Sequence, residues 1–404
     1  MRVVHVVTAF PRTERDPITP WLVELIRKQR QAGIDAQVLA PTYRGGPVTE
    51  ALDDIPIRRF RYGPASLETL THDVTVPDRI RHTPSAASLV PLYLAGGIRA
   101  GHDVGRGDPD VVHVHWPMPH ALIGDAVRRG SGGRTAMVCS YYSVELNWVK
   151  RRLPALLPFL RWTARTADAV TAISHSTADS VRELTDTPVH VVPYGAALED
   201  DMRPVGRPAL SGDSPVRLLF VGRLVERKGV EVLVRALSAL SDHPDATLTV
   251  IGAGERADVI ERTARVHGIS DRVRLLGTVS REELVESYAT HDIFVLPAVF
   301  DAKGDTEGLG VVLLEALRFE RPIVASGIGG IPDIVKDGRT GTLVSPGDPD
   351  ALAAALKALI RDPERAREMA AEGRRLAREA FGWRRIVEST NRVYRGAMER
   401  RRGA

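Results

Sequence analysis

The chain has 404 residues, of which 43% are hydrophobic and 26% charged, and its formal net charge is +4. One core seldom organises a chain of this length, so two domains of roughly 200 residues each are expected. The composition argues against an integral membrane protein, because no apolar stretch reaches the roughly 20 residues that span a bilayer. The weak cationic excess argues against a nucleic-acid-binding protein.

Short β-branched runs with helical stretches between most of them fill the first half of the chain. The strand-like runs cover residues 2–7, 35–41, 110–117, 134–142, 168–174 and 189–195. This alternation predicts βα units and a parallel sheet. His5 breaks the first run, and charges follow it at once, which favours a buried strand over a signal peptide. We therefore expect a cytoplasmic protein.

Two histidines, His113 and His115, end the third run on the same alternating face of the strand. A metal pair is possible at this spacing. No third histidine, cysteine or acid stands close in sequence, so we prefer one histidine as a polar group at a cleft and the other in the core. No metal is expected. Cys139 has no second thiol to pair with and is expected to be a core residue.

Residues 149–162 are rich in Trp, Leu and Arg, which suits a helix lying on an anionic membrane. Pro154 and Pro158 interrupt a continuous helix, and ordinary packing also explains the leucines. Peripheral membrane contact and a plain surface segment both stay open.

The second half repeats the pattern of the first. Residues 196–215, rich in Pro, Gly, Ser and acids, read as a linker. Further strand-like runs cover 216–222, 246–252, 273–277, 292–297, 321–326 and 341–346. We predict an α/β protein with two doubly wound, Rossmann-like domains, 1–195 and 216–381, facing across a cleft, and a C-terminal helix, 382–404, returning to the first. Ligands of such sheets bind beyond the carboxyl ends of the strands.

The first loop of the second half carries two cations. Gly222 directly follows a strand, Arg223 comes next, and Lys228 precedes a helix. Free N–H groups and the dipole at a helix start add to side-chain charge, so this loop is suited to a diphosphate. The alternative is that both cations are exposed surface charges.

Residues 252–257 match a G-x-G-x-x-A fingerprint, and Asp271 lies near the distance expected for a ribose carboxylate. This pattern favours a nicotinamide-dependent oxidoreductase. The fingerprint belongs in the first βα unit of a dinucleotide domain, however, and the loop with Arg223 and Lys228 stands there instead. We therefore prefer a different ligand.

Two acids stand eight positions apart in residues 307–326. Glu307 lies on a loop at a helix entry beside Gly308 and Gly310, which leave room for a ligand near the first-turn N–H groups. Glu315 falls inside the helix, where a charge among leucines is costly unless it has a partner such as a sugar hydroxyl. Together with the two cations, these acids predict a pocket for a charged sugar derivative.

These motifs together resemble glycosyltransferase family 4. The resemblance rests on the E-x7-E stretch, the G-R-L-x-x-x-K-G loop, H-x-H after a strand and A-I-S-x-S, and it spans nearly the whole chain. It implies a GT-B architecture in which two Rossmann-like domains close over a nucleotide sugar. The second domain binds most of that donor.

The resemblance also implies residue roles. Arg223 and Lys228 hold the donor diphosphate and stabilise the leaving group, Glu315 binds the ribose hydroxyls, and Glu307 contacts the transferred sugar. His115 points at that sugar from the opposite domain. Val279 is implied to contact the nucleobase of the donor. Further donor contacts are implied for Gly222, Gly308, Leu309 and Gly310.

The implied chemistry is hexosyl transfer from a nucleotide-diphosphate sugar, with UDP as the expected nucleotide. The transfer would retain the anomeric configuration and would need neither metal nor cofactor. The acceptor would be a sugar, a lipid-linked compound or a small molecule, with glycan or glycoconjugate biosynthesis as the pathway. Two alternatives stay open: another GT-B enzyme such as a sugar-nucleotide epimerase, and a catalytically silent nucleotide-sugar binder.

The sequence departs from the family pattern mostly in its first half. Residues 10–20 lack a Gly-Gly pair that many members carry, and this loop resembles an exopolysaccharide-building branch. Residues 139–147 replace a His-Gly-x-Asp turn. Tyr141, Tyr142 and Glu145 are candidate acceptor contacts, and packing or surface roles fit each of them equally well.

Overall fold

The computed structural model describes residues 1–13, 16, 18–196, 210 and 215–403. The chain divides into two compact units, the first being Met1–Tyr194 with Trp383–Ala404 and the second Gly195–Gly382. Most of the predicted linker, residues 197–209 and 211–214, lies outside the described residues, as do residues 14, 15 and 17 of the first loop.

The first unit is built on one sheet, which has eight strands among the described residues. In space they run β3-β4-β2-β1-β5-β6-β7-β8, and all neighbours are parallel except β3 and β4. The strands are β1 (Arg2–Val6), β2 (Asp35–Pro41), β3 (Thr49–Leu52), β4 (Ile55–Phe60), β5 (Val111–His115), β6 (Ala136–Tyr141), β7 (Ala169–Ala172) and β8 (Val189–Val191).

Helices cover both faces of this sheet. Their bounds are α1 (Pro20–Gln31), α2 (Val76–His82), α3 (Leu89–Gly105), α4 (Pro117–Gly130), α5 (Val144–Arg152), α6 (Leu157–Arg165) and α7 (His175–Arg182). One apolar core forms between the sheet and α3, α4 and α6. A second core forms on the opposite face, beneath α1. Period-two alternation along each strand assigns every side chain to one core or the other.

The second unit contains a parallel sheet in the order β11-β10-β9-β12-β13-β14. Its strands are β9 (Arg217–Val221), β10 (Thr247–Ile251), β11 (Val273–Gly277), β12 (Ile293–Leu296), β13 (Ile323–Ser326) and β14 (Thr342–Val344). Its helices are α8 (Val230–Ser238), α9 (Ala257–Val266), α10 (Arg281–Thr290), α11 (Val311–Arg318), α12 (Ile331–Ile334), α13 (Pro349–Arg361) and α14 (Pro363–Phe381).

The last helix, α15 (Trp383–Gly403), belongs to the first unit. Its buried face includes Trp383, Ile386 and Tyr394, which join the core beneath α1. Arg401 near its end pairs with Asp168, at 2.7 Å between Nη2 and Oδ1. The sheet face that α1 covers in part is thus completed by residues from the end of the sequence.

The prediction of two doubly wound α/β units is confirmed, but the hairpin of β3 and β4 was not predicted. Its strands are short, and Asp53 between them adopts a left-handed backbone with φ of 53°. With no helix between them, the two strands pair antiparallel at the sheet edge. Among the described residues, no helix combines the length and the apolar character that crossing a bilayer demands.

Candidate functional site

The loops that follow the strands of the second unit carry nearly all the predicted donor residues. Because all six strands are parallel, their carboxyl ends meet at one edge of the sheet. Gly222 and Arg223 follow β9, Val279 follows β11, and residues 297–310 form the long connection between β12 and α11. The predicted donor residues therefore gather along this edge.

Lys228 and Glu307 form an ion pair across two of these loops. Lys228 ends the short 3-10 turn Glu226–Lys228 and donates from Nζ to Glu307 Oε2. Both side chains are about nine-tenths buried, at 11% exposure each. Burial alone would raise the pKa of Glu307, but the Lys228 charge and hydrogen bond, the Arg227 charge and the Leu309 N–H together lower it. Glu307 is thus held as a carboxylate.

Close backbone contacts explain why these two loops meet. A Cβ on Gly229 would lie 2.0 Å from the carbonyl oxygen of Pro297, so only glycine lets the loop after β9 approach the loop after β12. Gly310 caps α11 with a left-handed φ of 88°. Without these glycines Lys228 could not lie against Glu307.

A second glycine pair, Gly329 and Gly330 after β13, supports the loop that carries Glu307 (residues 297–310), which we call the acid loop. A Cβ on Gly329 would lie 2.1 Å from the Glu307 carbonyl oxygen, and one on Gly330 would lie 2.1 Å from that of Gly308. The Gly330 N–H also donates to the Glu307 carbonyl oxygen at 3.0 Å. Sequence reasoning passed over these glycines, although their adjacency at the end of a strand was a signal for close backbone approach.

Glu315 has a protein partner, where the sequence led us to expect a ligand hydroxyl. Tyr288 on α10 donates its hydroxyl to Glu315 Oε2 at 2.9 Å, and Tyr288 itself stacks on Phe319. Glu315 is buried, and this burial raises its pKa despite the tyrosine hydrogen bond and two nearby arginines. The protein therefore compensates only part of the cost of burying a Glu315 carboxylate. Glu315 lies in the second turn of α11.

The remaining donor candidates differ in exposure. Arg223 is exposed and makes no ion pair with any described residue. Val279 is half-buried between β11 and the capping box of α10, in which Ser280 and Glu283 bond to each other's backbone. Leu309 is fully buried, so only its backbone is placed to meet a ligand.

The glycines of the G-x-G-x-x-A pattern have a packing role. A Cβ on Gly252 would lie 2.0 Å from the Gly222 carbonyl oxygen, and one on Gly254 would lie 2.3 Å from that of Leu224. Asp271 precedes β11 and therefore stands at the amino ends of the strands, away from these loops. The carboxylate that would bind the ribose is therefore missing from this edge, which argues against a dinucleotide site.

In the first unit, polar side chains cluster on the sheet face that α1 and α15 cover. His5 lies beside His113 in the register of β1 and β5, and His115 lies beside Ser140 of β6. His113 and His115 share one face, as predicted, and their ring centroids are 4.1 Å apart. Both are buried, at 3% and 0% exposure, and both line the same small cavity, so the structure does not divide them into one cleft residue and one core residue as expected.

From the sequence, a metal site was disfavoured because no third ligand residue stands close to His113 and His115, but the fold brings one close. His5 was distant in sequence, but β1 pairs with β5, and ring nitrogens of His5, His113 and His115 all lie within 4.8 Å of one another. Each ring nitrogen nevertheless has a hydrogen-bond partner within the protein. The cluster is satisfied as a hydrogen-bonded network, and the prediction of no metal stays a prediction.

An aromatic group lies at the carboxyl edge of the same sheet, and it separates the three acceptor candidates. Tyr142 belongs to it, with ring centroids 4.6 Å from Trp116 and 5.2 Å from Trp21. Tyr141 points into the opposite core, where its hydroxyl bonds to Thr163 at 2.7 Å. Trp116 adopts a left-handed φ of 52°, a strained conformation for a bulky residue that is common at functional sites.

Glu145, the third acceptor candidate, is buried near the start of α5. Its Oε1 accepts the Tyr142 N–H at 2.8 Å, and its Oε2 has no hydrogen-bond partner among the described residues. Burial raises the pKa of Glu145 to about 7 against the opposing hydrogen bonds from Tyr142 and its own N–H. Its main visible role is to fix the turn between β6 and α5.

Two family models match the chain, one in each half. The model described as Glycosyltransferase Family 4 matches residues 20–200. The model described as Glycosyl transferases group 1 matches residues 207–376. The first range covers the sheet of the first unit except β1, and the second covers the whole sheet of the second unit.

Curated relatives extend this likeness over the whole chain. A GDP-mannose-dependent alpha-(1-6)-phosphatidylinositol monomannoside mannosyltransferase of Mycolicibacterium smegmatis is 34% identical over 70% of this chain and 75% of its own. An alpha-maltose-1-phosphate synthase of the same organism is 32% identical over 98% and 99%.

Solved structures share the fold at lower identity. Sucrose-phosphate synthase from Thermosynechococcus elongatus superposes with a TM-score of 0.72 at 20% identity, covering 98% of each chain. Anabaena Alr3699/HepE, crystallised with UDP and glucose, gives 0.70 at 18% identity over 97% of this chain and 98% of that one.

Proposed function

Because the chain belongs to glycosyltransferase family 4 and has the GT-B fold, we propose that it transfers a hexosyl group from a nucleotide-diphosphate sugar with retention of configuration. The acceptor is a sugar, a lipid-linked compound or a small molecule, and the pathway is glycan or glycoconjugate biosynthesis. Glycosyl transfer is the activity of the family; the stereochemistry, the acceptor and the pathway are our inference.

The observation that carries the proposal is the buried pair of Lys228 and Glu307 at the entry to α11, the helix that carries the buried Glu315. Lys228 is the only cation in this edge that is both buried and aimed at another site residue in the described structure. A diphosphate competes with Glu307 for the Lys228 ammonium, and Arg223 adds an exposed positive charge to the same loop. Once released, the Glu307 carboxylate is free to accept hydrogen bonds from sugar hydroxyls.

The proposed chemistry needs charge stabilisation more than a nucleophile. The acceptor oxygen bonds to the anomeric carbon on the face from which the diphosphate departs, and the acceptor proton passes to a departing phosphate oxygen. Arg223 and Lys228 supply the positive charge that the leaving group requires, a role that a divalent cation performs in other phosphate sites. We therefore propose a reaction that needs neither metal nor cofactor.

The donor is proposed to carry UDP. We propose that the buried Glu315 accepts the ribose hydroxyls and that the half-buried Val279 contacts the base. Anabaena Alr3699/HepE, a protein of the same fold, was crystallised with UDP and glucose, whereas the mycobacterial relative is named for GDP-mannose. The base is thus the first feature of the donor to test.

A first experiment measures thermal unfolding of the full chain with UDP, GDP and ADP, because a ligand that binds the folded state raises the melting temperature. The proposal expects UDP to stabilise the wild type and to lose this effect in Arg223→Ala. Stabilisation by GDP alone would show that the donor carries guanine rather than uracil, and the proposed glycosyl transfer would stand. No response to any of the three would count against a nucleotide-sugar donor and therefore against the proposed function.

A second experiment tests the stereochemistry without knowledge of the acceptor. The chain is incubated with the stabilising nucleotide's glucose or mannose conjugate, and the slowly released sugar is followed by proton NMR. Retention predicts that the anomer of the donor appears first. Early release of the other anomer would exclude retention. A donor converted to its epimer, with no free sugar, would identify the epimerase alternative.

A further inference from the structure

The polar cluster of the first unit contains one continuous hydrogen-bond chain, which we call the histidine relay. It links eight buried residues in the order Tyr142, His115, His5, Gln29, Tyr394, His113, Ser140 and Thr171. The first three links measure 2.6, 3.0 and 3.0 Å. The next three measure 3.1, 2.7 and 2.6 Å, and Ser140 closes the chain on Thr171.

The sheet and both helices that cover this face of it contribute to the relay. His5, His113, His115, Ser140 and Thr171 lie on strands, Gln29 comes from α1, and Tyr394 comes from α15. Both ends of the relay, Tyr142 and Thr171, line the same small cavity. Protons therefore enter or leave the relay at one place.

A neutral imidazole has one donor and one acceptor nitrogen, so fixing one link of such a chain fixes every other link. Burial lowers the pKa of His5 to about 4 and lowers those of His113 and His115 well below the ordinary value, which keeps all three rings neutral at neutral pH. The relay consequently has only two self-consistent polarities, and the Gln29 amide decides between them.

Gln29 directs its Oε1 to His5 and its Nε2 to Tyr394. An amide oxygen can only accept, so His5 carries its proton on Nε2 and leaves Nδ1 bare. His115 then donates from Nε2 to His5, and its own bare Nδ1 accepts the Tyr142 hydroxyl. On the other arm, Tyr394 donates to His113 Nδ1, and His113 donates from Nε2 to Ser140.

The opposite orientation of the amide would reverse all of these links. The Tyr142 oxygen would then have to accept a hydrogen bond from His115 Nδ1–H. A phenol oxygen is a weaker acceptor than an imidazole nitrogen because its lone pair is delocalised into the ring. The end of the relay thus favours the same polarity as the Gln29 amide.

We propose that Gln29 and Tyr394 are positioning residues that hold His115 in its Nε2–H tautomer, so that its bare Nδ1 accepts a hydrogen bond from a sugar hydroxyl. The Tyr142 hydroxyl occupies that acceptor position here, as a substrate hydroxyl would. The sugar contact rests on the proposed function, whereas the tautomer does not. One consequence is specificity: a sugar that lacks the contacted hydroxyl, or carries it as a methyl ether, has no proton to offer.

The tautomers are measured on the full chain with nitrogen-15 histidine, by long-range correlations between ring protons and ring nitrogens. We expect His5, His113 and His115 to be neutral at pH 7 with the proton on Nε2. Each ring is assigned by its disappearance in a single-histidine substitution. A proton on Nδ1 of His115 would overturn the inference, and this result needs no substrate and no further variant.

The positioning role is tested with Tyr394→Phe, which removes one hydroxyl that is three hydrogen-bond links away from His115. Gln29 is then free to turn over, so a second His115 tautomer should appear in the spectrum, and kcat/KM should fall about tenfold, as it does when outer partners of functional histidines are removed. An unchanged His115 spectrum would contradict the relay.

The matched control is Tyr62→Phe, which removes a buried hydroxyl that accepts the Leu70 N–H at 3.0 Å in the opposite core. It should reduce stability by a similar amount and leave the His115 spectrum unchanged. If transfer is detected but His115 carries its proton on Nδ1, this inference alone fails. If the tautomer is as expected but no donor is turned over, the proposed function fails and the sugar contact with it.

Discussion

Lys228 and Glu307 stand 79 residues apart in the chain and yet share one buried ion pair in the second unit. The glycines around them allow two loops to approach closely enough for this contact. Each member of the pair is therefore the partner that a phosphate or a sugar would have to replace. Binding of a donor should exchange an internal contact for two contacts to the ligand.

Replacing Lys228 by alanine should lower turnover on the order of 10²-fold, since it removes a charge that stabilises the leaving group. It should also lower the free energy of unfolding by about 3 to 5 kcal/mol, because Glu307 is left buried without its partner. Initial rates of donor hydrolysis are measured well below the unfolding temperature, so that the two effects are separate.

Lys357→Ala serves as the control for that substitution. Lys357 lies on α13 and pairs with Asp242 at 3.5 Å, but it is remote in sequence from every predicted donor residue. Its rate should stay within about twofold of the wild type, and its free energy of unfolding should fall by no more than about 1 kcal/mol, as expected for a surface ion pair. Equal rates for both lysine variants would contradict the assignment of Lys228.

Glu315→Gln should raise the melting temperature of the free protein and weaken nucleotide binding. Burial raises the pKa of Glu315, so the ionised form is penalised in the folded state and glutamine escapes that penalty while still accepting from Tyr288. Losing a charged acceptor for the ribose should weaken binding roughly tenfold. Titration calorimetry with UDP checks the second effect, and a variant that binds as tightly as wild type would remove Glu315 from the site.

The same substitution predicts a pH dependence. Below the ordinary glutamate pKa of 4.5 the wild type and Glu315→Gln are both neutral at this position and should melt alike. As pH rises above 4.5, the unfolded wild-type chain ionises first, so the wild type loses stability relative to the variant until the raised folded-state pKa is passed. Melting curves from pH 4 to 8 should show the gap opening with rising pH, and a gap that narrows would reverse the sign of the argument.

Gly330→Ala should disable the acid loop without touching any ligand group. The backbone at Gly330 is ordinary, with φ of −88°, so a side chain is opposed only by close backbone contact, with the Gly308 carbonyl oxygen at 2.1 Å and the Leu309 Cα at 2.8 Å from an added Cβ. Displacement of Glu307 by about 1 Å can reduce the rate on the order of 10²-fold. Gly327→Ala is the matched control, because its nearest neighbour would be 3.7 Å away. Similar rates for both alanine variants would show that the loop tolerates the shift.

Charge reversal of Arg151 and Arg152 should abolish any binding to anionic vesicles. These arginines are exposed beside the exposed Leu153 and Leu156, whereas Lys150 is engaged with Glu183 at 2.7 Å. Polybasic segments gain about 1 kcal/mol per cation near such a surface. Sedimentation with phosphatidylserine vesicles is the measurement, with reversal of Arg384 and Arg385 on α15 as the control. Binding that persists after reversal of the first pair excludes this segment as the contact.

The fold could be predicted where one physical pattern repeats. Alternating β-branched runs and helices predicted the doubly wound units. The hairpin of β3 and β4 was missed because two short strands rich in polar residues have neither a strong apolar period nor a helix between them. Residues 149–162 were expected to break at their prolines, and α5 indeed ends at Arg152 before Pro154.

The site was predictable only where its residues share a local motif. Glu307, Glu315, Arg223 and Lys228 are close to glycines or to a strand end, which sequence spacing reveals. Tyr288, the partner of Glu315, comes from another helix, so no local pattern connects the two. His5 and Tyr394 are joined to His113 only through strand order and helix packing, and these are properties of the folded sheet.

The position of α15 also orders events during synthesis. A ribosome releases the strands of the first unit early, but the helix that covers one face of their sheet is translated only after the entire second unit. Until then Val3, Ile26 and Val138 lack their final neighbours, and the relay lacks its tyrosine. A nascent chain therefore holds an unfinished amino-terminal half through most of elongation, which makes that half a natural client for chaperones and makes a premature stop near residue 382 damaging to the half that was made first.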